Sequence, residues 1–86
     1  MLITKKDVFI KIQSYLTRSL SLAELVDWAE DSMMDAEFAE SDYDVIRDVI
    51  TKIGLADIRH FGLTWDECEG MVNQLGYKIK LDFEYA

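Results

Sequence analysis

The chain has 86 residues, half of them hydrophobic, with no proline and a formal net charge of −8. This length provides one domain with one core, over residues 1–86, and the composition excludes a disordered chain. No apolar run approaches the roughly 20 residues that a membrane-spanning helix needs, and the first residues lack the pattern of a signal peptide.

Four positions combine a Ser or Thr with an acidic residue three places later, which is typical of a helix N-terminus. The hydroxyl accepts a hydrogen bond from a backbone N–H of the first turn, and the helix dipole favours the acid there. The pairs are Thr4 with Asp7, Ser21 with Glu24, Ser41 with Asp44, and Thr64 with Glu67. Each precedes a periodic apolar segment, so the sequence predicts four helices.

The predicted helices cover residues 5–17, 22–38, 42–53 and 65–75, with a short extra helical turn at 55–61. The second helix is expected to bury apolar residues spaced three and four apart, namely Leu22, Leu25, Val26, Ala29, Met33 and Ala36. Gly54 and Gly76 are expected to end the third and fourth helices, because glycine readily adopts a left-handed backbone.

Apolar and charged residues alternate strictly in the segment Tyr77–Tyr85, which predicts a half-buried β-strand. Its apolar positions are Tyr77, Ile79, Leu81, Phe83 and Tyr85. The predicted fold is therefore mainly α within the α+β class: a four-helix domain with the short extra turn and a C-terminal β-strand.

The predicted strand needs a partner for its backbone groups. Within the chain we find only Leu2–Ile3, which is too short to cover it. We therefore expect a homodimer in which two copies of the strand pair antiparallel around Leu81. Pairing with the N-terminus, or addition to a different protein, would use the same edge, and both stay open.

The acidic residues are concentrated in one segment. Residues 19–46 contain nine Asp and Glu and neither Lys nor Arg, a charge of −9, whereas the other residues hold eight acids and nine bases, a charge of +1. This segment therefore argues against a nucleic acid or an anionic membrane as the partner of that surface.

The second helix carries four of these acids opposite its apolar stripe, namely Glu24, Asp27, Asp31 and Asp35. Like charges four residues apart cost a few tenths of a kcal/mol per pair. The face is either an ordinary solvated surface or a docking surface for a basic protein. Trp28, at the edge of the stripe, is either a flank of the core or an exposed anchor for a partner.

Candidates for chemistry are few. A calcium loop that starts at Asp42 fails, since Arg47 and Ile53 occupy its sixth and twelfth positions. His60 and Cys68 are the only histidine and the only cysteine in the sequence, and they lack the pattern of a nucleophile with its base. We predict no catalytic residue, metal or cofactor and no enzyme, although a small enzyme or ligand-binding domain stays the alternative. The single cysteine cannot form an internal disulfide, which favours the cytoplasm.

Two stretches, "SLAELVDWAEDSM" (21–33) and "GLADIRHFGLTWDECEGMVNQLGY" (54–77), resemble a family of small, acidic bacterial proteins without an assigned activity. The size, acidity and helix count are also similar to those of the immunity proteins that neutralise nuclease bacteriocins. The Tyr-Tyr motif of their third helix is absent here, where residues 41–44 read "SDYD". That second resemblance implies inhibition of a basic nuclease by an acidic surface.

The resulting functional hypothesis is a non-catalytic protein–protein interaction or regulatory module. It would present the acidic helix face to a basic protein through Glu24, Asp27, Trp28, Asp31 and Asp35. A solvated face without a partner is the simpler interpretation of the same residues.

Overall fold

The computed structural model describes residues 2–56 and 63–80. Its elements are, in chain order, β1 (Leu2–Ile3), α1 (Lys5–Leu16), α2 (Leu22–Asp35), β2 (Glu37–Phe38), α3 (Tyr43–Leu55) and α4 (Trp65–Gln74). A 3-10 turn over Glu40–Asp42 connects β2 to α3. The prediction of a mainly helical domain with four helices is confirmed. None of the described helices combines the length and the apolar character that crossing a bilayer requires.

Three of the four predicted helix caps are present. At the start of α2 the Glu24 N–H donates to Ser21 Oγ over 3.1 Å, and the Ser21 N–H donates to Glu24 Oε1 over 3.0 Å. Thr4 with Asp7, and Thr64 with Glu67, form the same reciprocal pair. The prediction that Ser41 caps the third helix is wrong. Ser41 lies inside the 3-10 turn, so α3 begins one residue after Asp42 without a side-chain cap.

The helices α1 and α4 end in the same way, with one residue in the left-handed conformation. Arg18 has a φ of 65° and Gly76 a φ of 91°. The following N–H groups bond back into the helix, Ser19 to the Ser14 carbonyl over 2.8 Å and Tyr77 to the Val72 carbonyl over 3.0 Å. This is the Schellman motif, and the predicted stop at Gly76 is confirmed.

The predicted stop at Gly54 is wrong. The helix α3 continues through Gly54 to Leu55, because Ile53 and Ala56 on either side are both buried and keep the backbone helical over the core. Leu55, the start of the predicted extra turn, therefore belongs to α3, and residues 57–61 of that turn lie outside the described residues.

The core lies between the four helices. On α3 the predicted apolar stripe is fully buried, with Ile46, Val49, Ile50 and Ile53 inaccessible to solvent. On α2, Leu25, Val26 and Ala29 are buried as expected, whereas Met33 is half exposed and Ser32 is buried in its place. The prediction for Met33 is wrong because this side chain lies at the solvent edge of the α2–α3 contact, where its sulfur is 3.9 Å from the Thr51 hydroxyl of α3.

The second predicted helix is three residues too long. It ends at Asp35, and Glu37–Phe38 pair in parallel with Leu2–Ile3, so that Leu2 lies opposite Glu37 and Ile3 opposite Phe38. The Ala39 N–H continues the ladder by donating to the Ile3 carbonyl over 2.9 Å. Burial of Ile3 and packing of Phe38 on the core favour this strand over another helical turn.

The predicted C-terminal strand is described only over its first four residues. Tyr77 and Ile79 are half-buried, and Lys78 and Lys80 are exposed, so the burial alternates there as the sequence predicts. The ring of Tyr77 stacks on that of Phe9, with centroids 4.2 Å apart and planes 9° from parallel. Residues 77–80 are assigned to no strand, and Leu81, Phe83 and Tyr85 lie outside the described residues. The strand itself stays a prediction.

Candidate interaction surface

The acidic face of α2 consists of Glu24, Asp27, Asp31 and Asp35, and all four side chains are exposed. The ion pairs found within residues 2–56 and 63–80 lie elsewhere and join Lys5 to Asp42, Arg47 to Asp44, and Lys52 to Asp48. Within the described chain, therefore, no carboxylate of this face has an ion-pair partner.

Glu24 differs from the other three acids because its carboxylate already has a structural role. The Ser21 backbone N–H and hydroxyl hydrogen-bond to it, and these bonds, with a smaller contribution from Lys11, hold the pKa of Glu24 below its ordinary value. Asp27, Asp31 and Asp35 are the members of the acidic face that are free of such bonds to the cap.

Trp28 lies beside the acidic face and is half-buried against the core. The ammonium of Lys11 on α1 lies 5.6 Å from the centroid of the Trp28 ring, within the range of a cation–π contact. The structure therefore places Trp28 as a flank of the core with one accessible side. Its assignment to a partner-binding surface stays a prediction.

A second surface was missed by the sequence analysis. We call it the methionine cleft: a shallow, largely open apolar depression of about 390 Å³ between α2 and α3. Its walls are Ala29, Glu30, Met33 and Met34 on α2, and Ile50, Thr51, Gly54 and Leu55 on α3. Met34 is 81% exposed, Leu55 52% and Met33 50%. These adjacent exposed side chains make the methionine cleft a candidate interaction surface.

The acidic face and the methionine cleft adjoin each other on α2. Glu30 is itself part of the cleft wall. Asp31 precedes Met34 by three residues and Glu30 precedes it by four, so both carboxylates lie one helical turn from Met34 on the same side of the helix. The signal in the sequence was the adjacent pair Met33–Met34, because one helix stripe cannot bury both side chains.

The residues that α3 contributes to the cleft wall carry no charge, and its charged side chains bond elsewhere. Across α3 and α4, Gln74 donates to Asp48 over 2.6 Å and Lys52 donates to Gln74 over 3.1 Å. These bonds to Gln74 and Lys52 hold the pKa of Asp48 below its ordinary value. Since Lys52 and Arg47 are each paired with an acid of their own helix, α3 offers little positive charge to the carboxylates of α2.

Of the two residues considered for catalysis, only Cys68 lies within residues 2–56 and 63–80. Cys68 is fully buried, and the loss of solvent raises the pKa of its thiol to about 11. It is therefore protonated at neutral pH and unsuited to nucleophilic attack. His60 lies outside the described residues. Over residues 2–56 and 63–80 there is no group of His, Cys, Asp or Glu that could hold a metal ion.

Comparisons of the chain with protein families, curated proteins and solved structures gave no match. The resemblance to the small acidic bacterial proteins therefore rests on the two sequence stretches alone, and that to the immunity proteins rests on size, acidity and helix count.

Proposed function

We propose that the chain is a non-catalytic protein–protein interaction module that presents the acidic face of α2 to a basic protein. The observation that carries this proposal is the exposure of Asp27, Asp31 and Asp35 without an ion-pair partner in the described chain, next to exposed apolar side chains. A solvated acidic face needs no neighbouring apolar groove, whereas an interface combines a charged rim with an apolar centre.

The arrangement of these acids does not serve the stability of α2. Asp27, Asp31 and Asp35 follow each other at intervals of four residues, so neighbouring carboxylates repel each other. Asp31 and Asp35 also lie near the C-terminal end of α2, where the helix dipole disfavours negative charge and where the last turn contains no base. Cations from a partner would relieve both effects.

The experiment is affinity capture from a native lysate with the wild-type chain and with the triple variant Asp27→Lys, Asp31→Lys, Asp35→Lys. We expect the wild type to retain a basic protein and the triple variant to lose it. Thermal stability should not fall, because lysines near the end of α2 are favourable to the helix dipole. Mass spectrometry identifies the captured protein, and rising salt should weaken its capture.

A matched control changes the charge equally at another surface. Asp44→Lys, Asp66→Lys and Glu69→Lys also replace three exposed acids, on α3 and α4. Because Asp44 and Asp66 lie in first helical turns and Asp44 pairs with Arg47, circular dichroism must first show that this control is folded. This control should retain the partner if the α2 face is the binding surface. Equal capture by the wild type and the α2 variant would contradict the proposal and would leave the face as solvated surface.

An enzyme or ligand-binding domain stays the alternative hypothesis. It would need a reactive side chain in a cleft, and Cys68 does not provide one because it is buried and protonated. We also propose that the module acts in the cytoplasm, since its single cysteine cannot form an internal disulfide.

A further inference from the structure

We propose that the methionine cleft is the docking groove for a basic amphipathic helix of the partner protein, with Gly54 at the point of closest approach. This inference rests on the proposed function and specifies which structure the partner presents. It also assigns a role to the apolar surface, which charge alone does not explain.

The apolar content of the cleft comes first. Met33, Met34 and Leu55 are among the most exposed large apolar side chains of the described chain, and they line the cleft together with buried Ala29 and Ile50. Methionine side chains are flexible and polarisable, so a groove lined by them adapts to an apolar helix face. A groove between two packed helices suits the anchors that a third helix presents at every third and fourth position.

Gly54 in α3 leaves a gap in the wall of the cleft. Glycine inside a helix is unfavourable relative to alanine, and no internal contact requires it at Gly54, where a Cβ would meet no atom within 4 Å. The same holds at Gly70 of α4, which lies outside the cleft. The open position at Gly54 lies in the wall of the cleft. A missing side chain at this point lets the backbone or a bulky side chain of a bound helix approach α3 closely.

Charge selects the occupant. Glu30 lies in the cleft wall and Asp31 adjoins it, while Arg47 and Lys52 on α3 are each paired with an acid of α3. The bound helix therefore needs lysine or arginine on the sides of its apolar stripe. A second copy of the chain fits poorly, since a symmetric contact here would bring two sets of α2 carboxylates together.

The probe is a synthetic peptide of leucine and lysine, about 14 residues long to match α2, with leucines at helical intervals of three and four. A scrambled peptide of the same composition keeps the charge and loses the apolar stripe. Fluorescence anisotropy measures both against the wild-type chain. We expect the amphipathic peptide to bind at least about tenfold more tightly than the scrambled one.

The decisive variants are Gly54→Gln and its matched control Gly70→Gln. Both glycines lie within helices, and a Cβ has open space at both, but only Gly54 lines the methionine cleft. Both substitutions should raise Tm by about 2–4 °C through helix propensity. We expect Gly54→Gln to weaken the amphipathic peptide about tenfold or more, and Gly70→Gln to leave it unchanged.

The outcomes separate this inference from the proposed function. The two peptides could bind equally well, with binding that the triple lysine variant loses and Gly54→Gln leaves unchanged. That result would overturn the cleft as the docking groove and would retain the acidic face as the binding surface. No binding of the amphipathic peptide up to about 1 mM would overturn the docking groove, while lysate capture would still test the module. A dimer of the chain alone that Gly54→Gln dissociates would assign the cleft to a second copy and overturn the inference.

Discussion

Arg18 follows α1 in the left-handed conformation that glycine adopts after α4. A side chain at this position strains the backbone by on the order of 1 kcal/mol or more, whereas glycine has no such cost. The hydrogen bonds that end the two helices are otherwise equivalent, from Ser19 to Ser14 and from Tyr77 to Val72. Among residues 2–56 and 63–80, Arg18 is the one non-glycine residue with a positive φ.

We expect Arg18→Gly to raise the free energy of unfolding by about 0.5–1 kcal/mol, since the strain removed exceeds the added freedom of the unfolded chain. Urea denaturation followed by circular dichroism measures this change. Arg18→Ala is the matched control because it removes the charge and keeps the Cβ. If both variants were equally stabilised, charge rather than backbone strain would be the cause.

Ionisation of Cys68 makes the free energy of unfolding depend on pH, and this free energy falls as the pH rises. Burial raises the pKa of its thiol from 9.0 to about 11, so the unfolded chain ionises first as pH rises. The stability contributed by the neutral thiol is complete below about pH 9 and is lost between about pH 9 and 11. We expect the wild type to lose stability over this range more steeply than Cys68→Ala, as measured by urea denaturation at each pH. Parallel pH curves for the two proteins would disprove this contribution.

At the scale of the elements, Ser21 and Ser41 have the same spacing to an acid in the sequence, but only Ser21 caps a helix. Ser21 accepts the N–H of Glu24, whereas Ser41 lies in a 3-10 turn without a capping bond to α3. We expect Ser21→Ala to lower the free energy of unfolding by about 1 kcal/mol and Ser41→Ala to change it by less than about 0.5 kcal/mol. Thermal denaturation of the two variants tests this difference. Equal losses would mean that Ser41 caps α3 in solution.

Local patterns predicted those parts of the fold that depend on neighbours in the sequence. The four helices, three caps and the stop at Gly76 all follow from interactions within four or five residues. Gly54 was mistaken for a stop because its helical conformation depends on the burial of Ile53 and Ala56. The end of α2 was misplaced because Phe38 pairs with Ile3, a contact across more than 30 residues.

The candidate interaction surface likewise has one part that the sequence could predict and one part that it could not. The acidic face could be predicted because the spacing of Asp27, Asp31 and Asp35 fixes their side of α2. The methionine cleft could not, since it forms only where the surfaces of α2 and α3 meet. The exposure of Met33 and Met34 depends on how α2 packs against α3, whereas the apolar stripe follows from residue spacing along α2 alone.

At the scale of the whole molecule, the homodimer through residues 77–85 stays a prediction. The stacking of Tyr77 on Phe9 and the exposure of Lys78 and Lys80 orient the start of this segment on the helical core. We expect light scattering to report a dimer and Leu81→Pro to yield a monomer, because proline removes a backbone donor from the pairing. A monomeric wild type with this segment paired internally would refute the prediction.

The parallel pairing of β1 with β2 has a consequence for the order of folding. It joins residues 2–3 to residues 37–38 and therefore closes a loop that contains both α1 and α2. Helices form from local contacts, while a pairing across so long a loop forms only after its entropy cost has been met. We expect this pairing to be absent from the folding transition state. In stopped-flow experiments, Ile3→Val should accelerate unfolding and leave the refolding rate nearly unchanged. A slower refolding rate would place the N-terminus in the folding nucleus. Under the expected result, residues 2–3 become structured only after the rate-limiting step of folding.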